Sequence, residues 1–71
     1  MGETRQDRFK RLATQRTNAI LNKLRLLGNL SNKANYDYSE DEIHKIFKAL
    51  QEKLNETKAR FVIKKDKEFK L

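Results

Sequence analysis

The chain has 71 residues, of which 38% are charged and 37% hydrophobic, and its net charge is +7. So short a chain has room for one small domain with a marginal core, and the absence of Cys together with a single His excludes disulfides and sites with several Cys or His metal ligands. No long apolar run provides a secretory signal or a membrane span, so we expect a cytoplasmic protein that does not act at a membrane.

The first predicted element is a helix over about residues 5–27. Apolar residues recur in it every three or four positions, from Phe9 to Leu27, and define one helical face. Gly28 follows directly and is expected to lie just past the helix in the left-handed conformation that ends many helices. Asn and Ser residues then compete with regular structure, so residues 28–38 are predicted to form a loop.

The second predicted element is a helix over about residues 39–60 or longer. Ser39 and Glu42 have the spacing of a capping box, in which each side chain bonds the backbone of the other residue. Tyr38 and Ile43 stand on either side of this cap, at the positions of a hydrophobic staple. Local signals therefore predict where this helix begins.

Together these elements predict an all-α fold in a single domain, residues 1–71, arranged as an antiparallel two-helix hairpin. The basic end of the chain, about residues 61–71, either prolongs helix two or forms a tail. Two helices bury only one seam, whereas Leu21 and Leu26 lie on opposite flanks of the apolar face of helix one. We therefore predict that the hairpin self-associates into a helical bundle, or that a protein partner docks on these two leucines.

Arg16 falls inside the apolar face of helix one, where an unpaired charge would be costly if it were buried. We expect an ion pair with Glu52 or Glu56 across the hairpin, or packing of the aliphatic stem with the guanidinium in water. Contact with a ligand is the remaining alternative.

The polar residues form no recognisable constellation for catalysis. His44 has no second His or Cys, and Ser39 and the carboxylates of Glu40, Asp41 and Glu42 are explained by helix capping and by the helix dipole. We therefore expect no enzymatic activity, no catalytic residue, no cofactor, no metal site and no small-molecule substrate.

The distribution of charge predicts an anionic partner, with nucleic acid as the leading candidate. Residues 1–27 carry a net charge of +5, residues 28–57 carry −2 and residues 58–71 carry +4, and residues 8–36 contain no acidic side chain. Solvated helices usually mix signs, whereas Arg, Asn and Gln contact phosphates and base edges, and Tyr can stack on bases. The predicted nucleic-acid-binding residues are Arg8, Arg11, Gln15, Asn18, Asn22, Arg25, Lys33 and Tyr36.

Two other interpretations of the same features stay open. In the first, the basic face of helix one is solvated and binds no ligand. In the second, the chain is an adaptor, subunit or inhibitor that docks on a protein, for example a nucleic-acid-handling machine. Peripheral binding of helix one to a membrane is disfavoured, because helix two is expected to cover its apolar face and the chain has no Trp.

Overall fold

The protein contains two α-helices, α1 over Arg5–Gly28 and α2 over Glu40–Asp66, and a 3₁₀ turn at Asn29–Ser31. The computed structural model describes residues 2–66, with the side chains of residues 2–61. No strand occurs among the described residues, so the all-α prediction is confirmed.

The chain divides into two units, Met1–Asp37 and Tyr38–Leu71, each built around one helix. None of the residues whose side chains are described is buried, so neither unit has a buried core of its own in that part. The arrangement of the two helices as a hairpin stays a prediction. Neither helix, over its described residues, has the length of apolar sequence that a membrane span requires.

The start of α1 is a capping box that the periodicity of apolar residues does not reveal. The Thr4 hydroxyl accepts a hydrogen bond from the backbone N–H of Asp7 at 2.9 Å, and the Asp7 carboxylate accepts one from the backbone N–H of Thr4 at 3.4 Å. The signal is present in the sequence as Thr4-Arg-Gln-Asp7, in which Asp replaces the more usual Glu or Gln. Local bonding therefore explains why α1 begins at Arg5.

The end of α1 differs from the sequence prediction. Gly28 is the last residue of α1, with φ −61° and ψ −27°, so the left-handed conformation predicted for it is wrong. The backbone N–H of Asn29 instead points at the last carbonyls of α1, those of Arg25, Leu26 and Leu27, and the chain continues into the 3₁₀ turn. Because the N–H of Asn29 reaches the end of α1 from right-handed backbone, no left-handed residue is required.

The segment after the 3₁₀ turn is organised by Asn32. Its side-chain oxygen accepts a hydrogen bond from the backbone N–H of Ala34 at 2.9 Å. Its carbonyl accepts from the N–H groups of Asn35 and Tyr36, at 3.1 and 3.0 Å. The prediction that polar side chains in this loop bond the nearby backbone is confirmed at this residue.

The predicted start of α2 is confirmed. The Ser39 hydroxyl accepts from the backbone N–H of Glu42 at 3.1 Å, and the Glu42 carboxylate accepts from the backbone N–H of Ser39 at 2.9 Å. Tyr38 and Ile43, the predicted staple pair, are half-buried, whereas most described residues are exposed. The helix passes residue 60 and reaches Asp66, as the longer alternative predicted, and residues 67–71 of the predicted tail lie outside the described residues.

Candidate nucleic-acid interface

One face of α1 carries most of the predicted nucleic-acid-binding residues. Helical spacing brings Arg11, Gln15, Asn18, Asn22 and Arg25 together on this face, with Arg8 beside them. All six side chains are exposed. We call these six residues the polar face of α1.

Two members of the polar face bond each other one helical turn apart. The Arg25 guanidinium donates to the side-chain oxygen of Asn22, at 2.8 Å from Nη2 and 3.3 Å from Nε. Because Asn22 is neutral, this contact orients the guanidinium and leaves its charge uncompensated. The Asn22 oxygen is occupied, so in this arrangement Asn22 cannot pair with adenine in bidentate fashion and serves to position Arg25.

Arg11, in contrast, is neutralised by a residue that sequence reasoning missed. Its Nε donates to Oε2 of Glu3 at 2.7 Å and its Nη2 donates to Oε1 at 3.0 Å, which is the parallel two-bond geometry typical of Arg and carboxylate. The bond lowers the pKa of Glu3 and raises the pKa of Arg11. A phosphate would use the same guanidinium edge, so it would have to displace Glu3 from Arg11.

Arg8 and two lysines of α1, Lys10 and Lys23, are exposed. Among the described residues no carboxylate lies within ion-pair distance of any of the three. Because residues 8–36 contain no acidic side chain, these cations of α1 have no carboxylate partner among the described residues, whereas Arg11 is paired with Glu3.

The two remaining predicted residues, Lys33 and Tyr36, lie beyond the C-terminal end of α1. Both are exposed, and Tyr36 is held by the hydrogen bond from its backbone N–H to the carbonyl of Asn32. The structure thus gathers six of the eight predicted residues on α1 and places the other two in a separate turn of the same unit.

The charged residues of α2 are organised differently, because two of its lysines, Lys48 and Lys53, have carboxylate partners on the same helix. Lys48 lies 3.7 Å from Glu52, and Lys53 lies 3.1 Å from Glu56. Each pair spans one helical turn, and all four side chains are largely exposed. Such pairs contribute only a few tenths of a kcal/mol, roughly 0.2–0.5, but they balance the charge of the surface that carries them.

An ion pair was expected for Arg16 because a buried charge needs a partner, but Arg16 is not buried. Arg16 is exposed, so it bears no desolvation cost that a carboxylate would have to offset. The two carboxylates proposed as partners, Glu52 and Glu56, bond lysines of α2. Each also lies two positions from Leu54 and therefore away from the apolar face of α2, a spacing that the sequence already contained.

Leu21 and Leu26, the predicted protein-docking residues, lie on the two borders between the apolar face and the polar face of α1. Their exposed fractions are 56% and 43%, which are high for leucines and leave both available to a partner.

The described residues contain no group of three or more His, Cys, Asp or Glu side chains placed to hold a metal ion. His44 is exposed in the second turn of α2. No protein-family model matches the chain, and neither curated proteins nor solved structures include a significant match.

Proposed function

We propose that this chain binds nucleic acid through the polar face of α1, largely by contacts with phosphates. The observation that carries the proposal is the sign of the charge: α1 presents exposed cations along its whole length, and its single acidic residue, Asp7, is engaged in the N-terminal cap. Phosphate contacts from Arg and Lys supply most of the affinity of nonspecific nucleic-acid binding.

The residues of the polar face have different roles in this proposal. Arg8 and Arg25 stand near opposite ends of α1, and each carries a charge that no described carboxylate offsets, so both grip the backbone. Gln15 and Asn18 lie between them with exposed amides that can bond base edges. Arg11 contributes after Glu3 is displaced, so it adds less affinity than its charge alone suggests.

The test is a pair of double variants that remove the same charge from different helices. Arg8→Gln with Arg25→Gln removes two cations from α1, and Lys45→Gln with Lys58→Gln removes two exposed cations from α2. Affinity for a labelled short duplex and a labelled single strand is measured by fluorescence anisotropy as salt is raised from about 50 to about 200 mM.

We expect the α1 variant to lose affinity and its salt dependence to become shallower by roughly two units of slope, because each phosphate contact contributes about 0.9. The α2 variant has the same net charge and should keep a slope close to that of the unchanged protein. Equal losses in the two variants would show that net charge alone attracts the nucleic acid. No binding at low salt would refute the proposal itself.

A further inference from the structure

The apolar side of α1 is an exposed surface that the proposed function does not use. Helical spacing aligns a set of large side chains there, which we call the apolar stripe of α1 and which consists of Phe9, Leu12, Ile20, Leu24 and Leu27. The exposed fractions of Phe9, Ile20 and Leu24 are 54%, 60% and 40%, and Leu12 and Leu27 are half-buried. Contiguous apolar side chains at this exposure are typical of a surface that a partner covers.

Arg16 stands in the middle of this stripe, three positions after Ala13 and four before Ile20. It is exposed, and no carboxylate among the described residues lies within ion-pair distance of it. Arg5 and Lys23 lie along the same side of the helix. Any partner that covers the stripe therefore meets positive charge alone.

We propose that the apolar stripe of α1 docks on an amphipathic helix of another protein, whose own apolar face is bordered by carboxylates. Covering the stripe takes the Arg16 guanidinium out of water, which is costly without an opposite charge. A carboxylate on the partner helix satisfies it through two parallel hydrogen bonds, as Glu3 does for Arg11. This surface is separate from the polar face, so the inference does not rest on nucleic-acid binding.

The charges of this chain make a second copy of it a poor occupant. Pairing two α1 stripes across a two-fold axis would bring Arg16 close to Arg16 of the other copy, since this residue lies near the middle of the helix. Past its first turn, the apolar face of α2 is bordered by cations, with Lys53 on one side and Lys58 on the other. Its bordering carboxylates are confined to the first turn, where Glu42 already bonds the backbone of Ser39.

An anionic membrane surface fits the position of Arg16 less well. Helices that lie in a membrane interface keep their cations at the border of the apolar face, from which long side chains reach the headgroups. A cation at the centre of the stripe would point toward the acyl chains, whereas a protein can place one carboxylate opposite it.

The experiment uses two synthetic helical peptides with the same leucine stripe, one bordered by Glu and the other by Lys. Binding to the full-length protein is measured by anisotropy of a dye on the peptide. We expect the Glu-bordered peptide to bind and the Lys-bordered peptide not to bind. Arg16→Glu should weaken binding of the Glu-bordered peptide about tenfold or more, while Lys45→Glu, a matched reversal on α2, should leave it within a factor of about two.

Circular dichroism checks that the Arg16→Glu variant keeps its helices. If this variant loses helicity, Arg16→Gln, which removes the positive charge without adding a negative one, is used in its place. Equal affinity for the two peptides, or affinity that is insensitive to both Arg16 variants, would overturn the proposal. A stable dimer of the unchanged protein in sedimentation equilibrium that excludes the Glu-bordered peptide would assign the stripe to a second copy. Binding to phosphatidylserine vesicles without binding to either peptide would assign it to a membrane.

Discussion

The two helices begin in the same way and distribute their charges in opposite ways. Each starts with a capping box, built by Thr4 with Asp7 in α1 and by Ser39 with Glu42 in α2. Along α2, Lys48 and Lys53 form ion pairs with Glu52 and Glu56, whereas α1 past Asp7 contains no acidic residue. Helix formation therefore does not explain the composition of α1, since α2 forms a helix of similar length with mixed charges.

The difference bears on which helix suits the proposed nucleic-acid interface better. Ion pairs within α2 leave little net charge on the part of its surface that carries them. The only described ion pair of α1 reaches outside the helix, from Arg11 to Glu3, and leaves the other exposed cations of α1 uncompensated. Uncompensated charge attracts polyanions, and the contrast therefore favours α1 over α2 as the binding surface.

The largest effect that we expect on helix stability comes from removing the cap of α2. Ser39→Ala should cost about 1 kcal/mol, because the backbone N–H of Glu42 loses its acceptor and the start of the helix frays. Thr4→Ala removes the corresponding acceptor of the Asp7 backbone N–H and should cost less, since Thr is a weaker N-cap than Ser. Amide hydrogen exchange in the first turn of each helix measures both changes.

Ser39→Asp is the control for this comparison, because Asp keeps a side-chain acceptor at the cap and should preserve protection at Glu42. A larger loss of protection in α1 for Thr4→Ala than in α2 for Ser39→Ala would reverse the expected order. It would show that the two caps do not differ as the general preference for Ser over Thr indicates.

These caps also show what the sequence can predict. The cap of α2 was predictable because its signals lie within five residues of one another, from Tyr38 to Ile43. The cap of α1 obeys the same rule, with Asp7 in the place where Glu or Gln is usual, so its sequence signal is weaker. The bond from Arg11 to Glu3 was not predictable from helical spacing, since Glu3 precedes the helix and lies two turns from Arg11.

The end of α1 was mispredicted for a different reason. Gly at a helix end is a statistical preference for left-handed backbone, and the outcome depends on which N–H groups reach the last carbonyls. Here Asn29 supplies that N–H from right-handed backbone, and a 3₁₀ turn follows.

Gly28→Ala provides the second prediction on stability, with an effect of about 0.5–1 kcal/mol in the stabilising direction. Gly28 has right-handed helical backbone, and a methyl group added there would meet no atom within 4 Å. Ala should therefore raise helicity, which thermal unfolding followed by circular dichroism detects. If Gly28 were left-handed, as the sequence suggested, the same substitution would lower it.

The smallest effect that we expect concerns the ion pair between Arg11 and Glu3, which compensates one of the cations of α1. Arg11 holds the pKa of Glu3 below its ordinary value of about 4.5, so the pair contributes stability above that pH. As pH falls through the lowered pKa, Glu3 takes up a proton and the contribution is lost. Glu3→Gln should remove this acid-dependent step, because its side chain carries no charge at any pH.

The NMR resonance of the Arg11 Nε–H group reports directly on its hydrogen bond to Glu3. In the unchanged protein it should shift as Glu3 is protonated at a pH below about 4.5, because the group then loses an ionised acceptor. In Glu3→Gln it should stay constant over the same range. A shift of equal size in both proteins would mean that another carboxylate holds Arg11, and α1 would then be less exposed to phosphate than its charge pattern indicates.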